Sequence, residues 1–483
     1  MKKTQLISTL LLIAMLAGCG TVEDGNDETT SSGSDTMEET TADTSVKDDL
    51  PADLDFTGRE LRILTNKVTE NAALAPEEAT GDVLNDAIHA RNVRICDRFG
   101  ITMTEDLYTW DNGGDKARNF ITAGEDAYDI ISLIDRDALT FATENMIRFA
   151  DEVENIDLSK PYWNQSLNRN ATIGGRQVLA YSDIALTAYD FTHVMLFNKK
   201  MVGDLQIASP YDLVENGTWT LDKFGEYENL ASGDLNGDSI YDLDDSYGFV
   251  SLAKQIAPCF WIGAGCLSVE KNDDDIPVFD MSSERMLSVL DKAYSLTWGG
   301  NAWFVQKEGD WYSHLTLFTS DQALFCNTTF GGIFKATLRE MESDYGIIPY
   351  PKYDETQTTY YSRVEGGCPY SVPSTVTDTS FAGAMMEALS CESYNSVIPV
   401  YYETALKTKY SRDEQSGKIL DMMMSNRVYD WGDTFFTSYV RDGFVFKAFN
   451  NGKPVSASDI EANKKKVDTA IEKVVKAVTE KDS

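Results

Sequence analysis

Residues 234–245, DLNGDSIYDLDD, place five aspartates and one asparagine within twelve positions. With Asp234 as position 1, oxygen-bearing side chains fall at Asn236 (position 3), Asp238 (5), Asp242 (9) and Asp245 (12), and Ile240 offers its carbonyl at position 7. This is the ligand spacing of an EF-hand loop, whose hard oxygens suit Ca2+. Two positions depart from that pattern: Ser239 replaces the usual Gly at position 6, and Asp245 is one methylene shorter than the usual Glu at position 12. No second EF-hand accompanies the loop, so the expected cofactor is a structural Ca2+ acting as a clip, with a solvated acidic turn as the alternative.

Other reactive constellations are absent. The three histidines, His89, His193 and His314, lie too far apart in sequence for a zinc-binding H-E-x-x-H helix, and there is no G-x-S-x-G elbow or phosphate-binding G-x-x-x-x-G-K-[ST] loop. The segment GAGCLS from Gly263 lacks the third glycine of a dinucleotide fingerprint. With 78 acidic residues, a carboxylate pair for glycoside hydrolysis carries no information in sequence alone, so a surface glycoside hydrolase stays open as an alternative. A net charge of -36 argues against nucleic acid, which needs clustered cations. Eight tryptophans and 23 tyrosines beside so many acids suit a glycan, whose rings stack on aromatic faces and whose hydroxyls pair with polar side chains.

The first residues, MKKTQLISTLLLIAMLAGCG, combine two lysines, an apolar run and Leu16-Ala17-Gly18-Cys19. This is the pattern of a lipoprotein signal that ends in a lipidated Cys19, anchoring the chain to a membrane. Residues 20–55 are rich in Thr, Ser, Asp and Glu and poor in apolar side chains, which predicts a disordered tether with a reach of roughly 30 Å. No later segment is apolar for long enough to span a bilayer. Cys96, Cys259, Cys266, Cys326, Cys368 and Cys391 form no regular framework, which favours buried free thiols over disulfides.

The elements that must position any site follow an α/β pattern. Leu61–Leu64 reads as a strand; Leu84, Ile88, Ile95 and Phe99 share a helix face between a capping Asp82 and a terminating Gly100. A strand at Ile101–Thr104, a helix near Lys116–Ala123 and a buried strand at Tyr128–Ile134 follow, predicting a parallel sheet with its ligand beyond the strand carboxyl ends. His193–Asn198 and Asp321–Thr329 suggest strands of a second α/β lobe, and a Ser458/Glu461 capping box opens a last helix bearing Ile460, Val467, Ile471, Val474 and Val478.

Several stretches together resemble the extracellular solute-binding proteins of bacterial ABC transporters, in the carbohydrate-binding group that includes maltose-binding protein. YDIISLIDRDALTFATENMI is similar to that family's third strand and the Asp-Arg loop after it, HVMLFNKKMV to its crossover, DQALFCNTTFGG to a strand presenting an aromatic, and DYGIIPYPK with PYSVPSTVTD to the return crossing. The acidic loop after TWTLDKFGEYENLA is similar to one branch's calcium site.

The resemblance implies an α/β, two-lobed periplasmic-binding-protein-like (type II) fold with discontinuous lobes and a hinge. Residues 56–192 with about 346–390 would form lobe 1, and 193–345 with about 391–483 lobe 2. It implies ligand contacts from Asp135, Arg136, Asp183, Tyr189 and Asp190, and stacking on Trp261, Phe330 and Trp431; Phe330 stands where the family often has Trp. The expected protein is a monomeric, non-enzymatic receptor, lipid-anchored on the extracellular face of a Gram-positive-type cell membrane. It would deliver an oligosaccharide to ABC permease subunits, with a peptide or another solute as the alternative cargo.

Overall fold

The computed structural model describes residues 45–69, 71–109, 113–300, 302–305, 313–333, 336–402 and 414–481. The signal segment, Cys19, most of the tether, Trp110 and Trp311 lie outside the described residues.

The first sheet is built as the hydrophobic pattern predicts. Strand β1 (Glu60–Asn66) pairs in parallel with β2 (Thr102–Tyr108) and β3 (Ile130–Ser132). The helix Val83–Phe99 runs between the first two: Asp82 accepts the amides of Leu84 and Asn85, and Gly100 closes the helix at φ 66°, a left-handed conformation that glycine adopts without strain. β3 is shorter than Tyr128–Ile134 because the chain turns at Ile134 into the helix Asp135–Thr143.

A small hairpin of β4 (Thr172–Ile173) and β5 (Arg176–Gln177) precedes the second sheet. That sheet begins with β6 (His193–Asn198) and adds β7 (Tyr247–Ser251), while β8 (Val269–Lys271) and β9 (Pro277–Phe279) form a separate hairpin. Next come β10 (Trp303–Val305), β11 (Ala323–Thr329) and β12 (Tyr345–Ile348), giving the order β10-β7-β11-β6-β12. β7 is parallel to β10 and β11, whereas β6 is antiparallel to β11 and β12, so this sheet is mixed.

The second lobe extends past residue 345. Beyond β12, the Trp219 indole donates to the Pro349 carbonyl, and Lys352 and Gln357 are buried among lobe-2 elements. The chain returns through β13 (Ser362–Arg363), and β14 (Tyr370–Ser371) joins the edge of the first sheet antiparallel to β3. Outward and return crossings run side by side, bridged at Thr192 and Val364, and β15 (Arg427–Val428) pairs with β13 as a third crossing segment.

Two further boundaries differ from the sequence reading. Residues 46–54 lie on the body rather than in the tether: Val46 and Leu50 pack on the first-lobe core, the Val46 amide donates to Asn395, and Asp48 pairs with Arg98. An acidic window average hides such single anchoring contacts. The last helix, Ala457–Thr479, is opened by Ser456 and Asp459 rather than by Ser458 and Glu461, because the reciprocal bonds need the Ncap-to-N3 spacing at its true start. This helix packs against both lobes, touching β9 as well as β4 and the helix Asp135–Thr143. No helix among the described residues is long and apolar enough to cross a membrane.

Candidate ligand site between the lobes

The end of β3 and the two crossings enclose a hinge cleft of about 440 Å³. Lobe 1 supplies Asp135 and Arg136, the return crossing Glu365 and Gly366, and lobe 2 Lys254 and Gln255 from the first turn of the helix Ala253–Gly263; Thr434, Thr437, Arg441 and Asp442 close it. Asp135 is buried and accepts from the Tyr181 hydroxyl and, at 2.5 Å, from the Gly367 amide. Burial pushes its carboxyl up to about 7, against the pull of these bonds. Gly366 makes the approach possible, since a Cβ there would stand 2.5 Å from Asp135 Oδ2. Arg136 is exposed, with Asp137 at 4.0 Å.

Behind the cleft lies a buried ionic network. Arg363 donates to Asp433 at 2.5 and 2.9 Å, both side chains being fully buried, and contacts His193 Nε2 at 2.8 Å. Glu365 accepts from Arg441 at 2.9 Å and from Gln255 at 3.2 Å, and lies 3.1 Å from His193. Burial would raise the Glu365 carboxyl, but Arg363, His193 and Arg441 together hold it far below its usual range. The same surroundings reach Cys259: burial opposes ionisation, yet His193 and Arg363 lower the thiol. The six cysteines after Cys19 are free, five of them buried.

A second cleft of about 650 Å³ opens between the β4–β5 hairpin of lobe 1 and β8 of lobe 2, with Tyr429 and Trp431 in its wall. The Tyr429 hydroxyl and Trp431 Nε1 are buried without a hydrogen-bond partner. Such orphans are costly unless a ligand or water meets them. The two clefts are separated by Asp135, its partner Tyr181, and Tyr429, whose ring lies 5.3 Å from that of Tyr181. The short helix Trp431–Thr434 contributes one end to each.

Of the residues named from sequence, Asp135 and Arg136 line the hinge cleft and Trp431 the second. Trp431 is no open stacking platform: its ring centroid lies 4.5 Å from that of Phe435 and 6.2 Å from that of Phe436, which leaves the indole N–H as its free polar function. Asp183, Tyr189, Asp190, Trp261 and Phe330 line neither cleft. Asp183 accepts from Tyr189 at 2.8 Å, with Arg427 stacked 4.2 Å from the Tyr189 ring centroid; Asp190 accepts from Asn71 and Tyr401. Trp261 is fully buried and donates to Asp430 at 2.7 Å, and Phe330 is fully buried. Lys254, Gln255, Thr434 and Arg441 were not legible as site residues; Thr434 alone had a signal, standing three positions after Trp431.

The acidic loop lies on lobe 2 before β7 and lines neither cleft. Its carboxylates accept backbone amides: Asp234 from Gly237 and Ser239, Asp238 from Ile240, Asp242 from Asp244, and the buried Asp245 from Leu235 and Asp242. Asn236 accepts from Asp238 in the same way. Ser239 adopts φ 64°, a left-handed turn at the position the EF-hand pattern gives to Gly. Among the described residues, no three His, Cys, Asp or Glu groups converge closely enough to hold a metal ion. The donor chemistry of the loop fits Ca2+.

No family model matches the sequence, and comparison with curated proteins finds no match. Solved structures do match in fold. A cyclo/maltodextrin-binding protein complexed with maltotetraose shares 13% identity at a TM-score of 0.55, over 87% of this chain and 97% of that one. An ABC substrate-binding protein from Listeria monocytogenes in complex with cycloalternan gives 12% identity and a TM-score of 0.55, over 86% and 99%. UgpB from Mycobacterium tuberculosis in complex with glycerophosphocholine gives 14% and 0.53, over 81% and 95%. The chain therefore has the two-lobed α/β fold of these binding proteins.

Proposed function

We propose that this protein is an extracellular, lipid-anchored receptor that captures a carbohydrate, an oligosaccharide by the size of its clefts, and hands it to an ABC importer. The observation that carries this reading is a pair of clefts between two lobes, lined largely by polar side chains, with Tyr429, Trp431 and Thr434 in their walls, each bearing a buried polar atom without a hydrogen-bond partner. Several proteins sharing the fold are described as bound to glycans. A binder fits better than a hydrolase because the solved structures that share the fold are described as binding proteins. Capture would work by population shift, the ligand favouring a closed arrangement of the lobes that a permease recognises.

Anchoring through Cys19 belongs to this proposal and rests on the signal pattern. A structural Ca2+ at residues 234–245 rests on ligand spacing and on the left-handed Ser239; carboxylates that accept amides keep lone pairs with which to meet the ion. The test is thermal unfolding of the purified protein against a panel of oligosaccharides, each with Ca2+ and with chelator. A ligand at a hundred times its dissociation constant adds about 2.7 kcal/mol of stability. A glycan-specific rise in the midpoint supports the receptor reading, and a midpoint indifferent to chelator removes Ca2+ from it; a rise with peptides alone would overturn the carbohydrate assignment.

A further inference from the structure

We infer that the tips of the β4–β5 hairpin of lobe 1 and the β8–β9 hairpin of lobe 2 form a clasp, keyed by Lys271 and Asp275, which stays shut while the lobes turn and limits the direction in which they can turn. This goes beyond the carbohydrate reading and holds whatever the cargo.

Each tip is shaped for the meeting. Gly174 and Gly175 make the two-residue turn between β4 and β5 at φ 57° and 78°, the pair of left-handed positions that a type I′ hairpin turn requires. On the facing tip Asp275 takes φ 61°, a backbone that aspartate tolerates better than most residues. Asn272 holds that turn: its carbonyl accepts the Asp275 amide, and its side chain accepts the amides of Asp274 and Ile276.

The left-handed turn offers Asp275 to lobe 1 through both its backbone and its side chain. The Gly174 amide donates to the Asp275 carbonyl at 3.1 Å, the Gly175 amide to Oδ2 at 3.0 Å, and the Thr172 hydroxyl to Oδ1 at 2.9 Å. Lys271 reaches across from β8: its ammonium donates to the Arg169 and Thr172 carbonyls, both at 2.6 Å, and lies 2.7 Å from Thr172 Oγ1 and 2.9 Å from Asp275 Oδ1. The Lys271 side chain is 15% exposed, so these charge-assisted bonds are partly shielded from water and salt.

The last helix seats on the same joint. A Cβ at Gly174 would stand 3.3 Å from Thr479 Cγ2 and 3.7 Å from Ile276 Cδ1. Lys464 donates to the Phe279 carbonyl of β9 at 3.1 Å, and Lys481, just past the helix, to Glu152 of lobe 1 at 2.8 Å. The crossings join the lobes at a separate place, where Thr192 and Val364 bridge. Two bodies held at one flexible joint can swing about any axis through it; held at two, they turn about the line between them. The clasp is the second joint, and it pins one edge of the second cleft, which Arg169, Thr172, Lys271 and Asp275 all line.

The experiment is pulsed electron spin resonance on the full chain without ligand, spin-labelled at V93C on lobe 1 and L230C on lobe 2 in a C96S background. Val93 and Leu230 are exposed, and the other five cysteines after Cys19 are buried. K271M removes the cation, and D275G removes the carboxylate while suiting the left-handed turn. K223M, whose lysine pairs with Glu226 on its own helix, is the control. K271M and D275G should each widen the interlobe distance distribution about twofold, and K223M should match the parent. Melting curves check that each variant is folded; if K271M is not, D275G decides. Clasp variants as narrow as the parent, or a parent already as broad as they are, overturn the inference. Because no ligand is present, neither result bears on the carbohydrate reading, and the two can fail separately.

Discussion

Replacing Asp433 with Asn tests the buried network that fixes the hinge wall. Asp433 is fully buried, accepts two hydrogen bonds from Arg363, and lies 3.5 Å from Arg441. Without its charge, Arg363 keeps, among the described residues, Glu365 at 3.9 Å as its carboxylate partner, and Glu365 must also serve Arg441 at 2.9 Å. Arg363 then shares Glu365 with Arg441, which Asp442 also holds, while Arg363 itself stays fully buried. Breaking one side of such a pair costs about 3–5 kcal/mol, because the remaining charge stays buried. Unfolding entropy is roughly 2 cal/mol/K per residue, so over Val46–Ser483 this loss should lower the melting midpoint by about 3–6 °C. The double substitution R363M/D433L removes both charges and should melt closer to the parent than D433N does. The assay is thermal unfolding followed by circular dichroism, with ligand binding measured alongside, because Thr434 and Arg441 flank the altered position. A D433N protein within about 1 °C of the parent, or a double variant less stable than D433N, would refute the argument that unpaired charge is what costs.

Two further outcomes are expected. Burial pushes Asp135 and Asp183 up to about 7 and Asp430 up to about 6 from an ordinary 3.8, so the folded chain retains protons that the unfolded chain releases. Their contribution is therefore complete below about pH 4 and is lost as pH rises through about 6 to 7, and the melting midpoint should fall between pH 5 and pH 8; D183N should flatten this slope and raise the pH 8 midpoint, and an unchanged slope would count against it. Glu228 is buried, its Oε1 has no partner, and burial alone pushes its pKa well above the usual range. E228M should thus stabilise the protein by about 1–3 kcal/mol at pH 8 in urea titrations, and a loss of stability there would show that the carboxylate has a use.

What could be read in advance depended on how local the signal was. Asp82 and Gly100 bracket their helix as expected because capping involves neighbours a few positions away. Asp135 and Arg136 could be placed at a strand end for the same reason. Trp261 could not be sorted from sequence between stacking platform and core residue, since its fate depends on Asp430, 169 positions further along. Lys254 gave no signal either: it becomes a cleft residue only when the helix Ala253–Gly263 meets Gly366 and Thr434 from distant segments. The acidic loop was legible for the same local reason, its carboxylates closing tight turns on backbone amides a few positions away.

The hinge constrains how the lobes can move. The crossings touch through little backbone pairing, namely the Thr192–Val364 bridge, the Glu365 amide on Phe191, and the two-residue strands β13 and β15. The β4–β5 hairpin of lobe 1 is nevertheless tied to the β8–β9 hairpin of lobe 2: Lys271 donates to the Arg169 and Thr172 carbonyls, and the Gly174 amide to Asp275. Closure has to turn about these bonds or exchange them. The Arg363–Asp433 pair, in turn, holds the return crossing to the C-terminal segment as one piece. Rotation should therefore move Arg136 of lobe 1 relative to a unit that includes Thr434 and Arg441. A ligand that drives this motion has to make contacts in the closed arrangement that the open one lacks, which is the differential interaction that any ligand-driven shift requires.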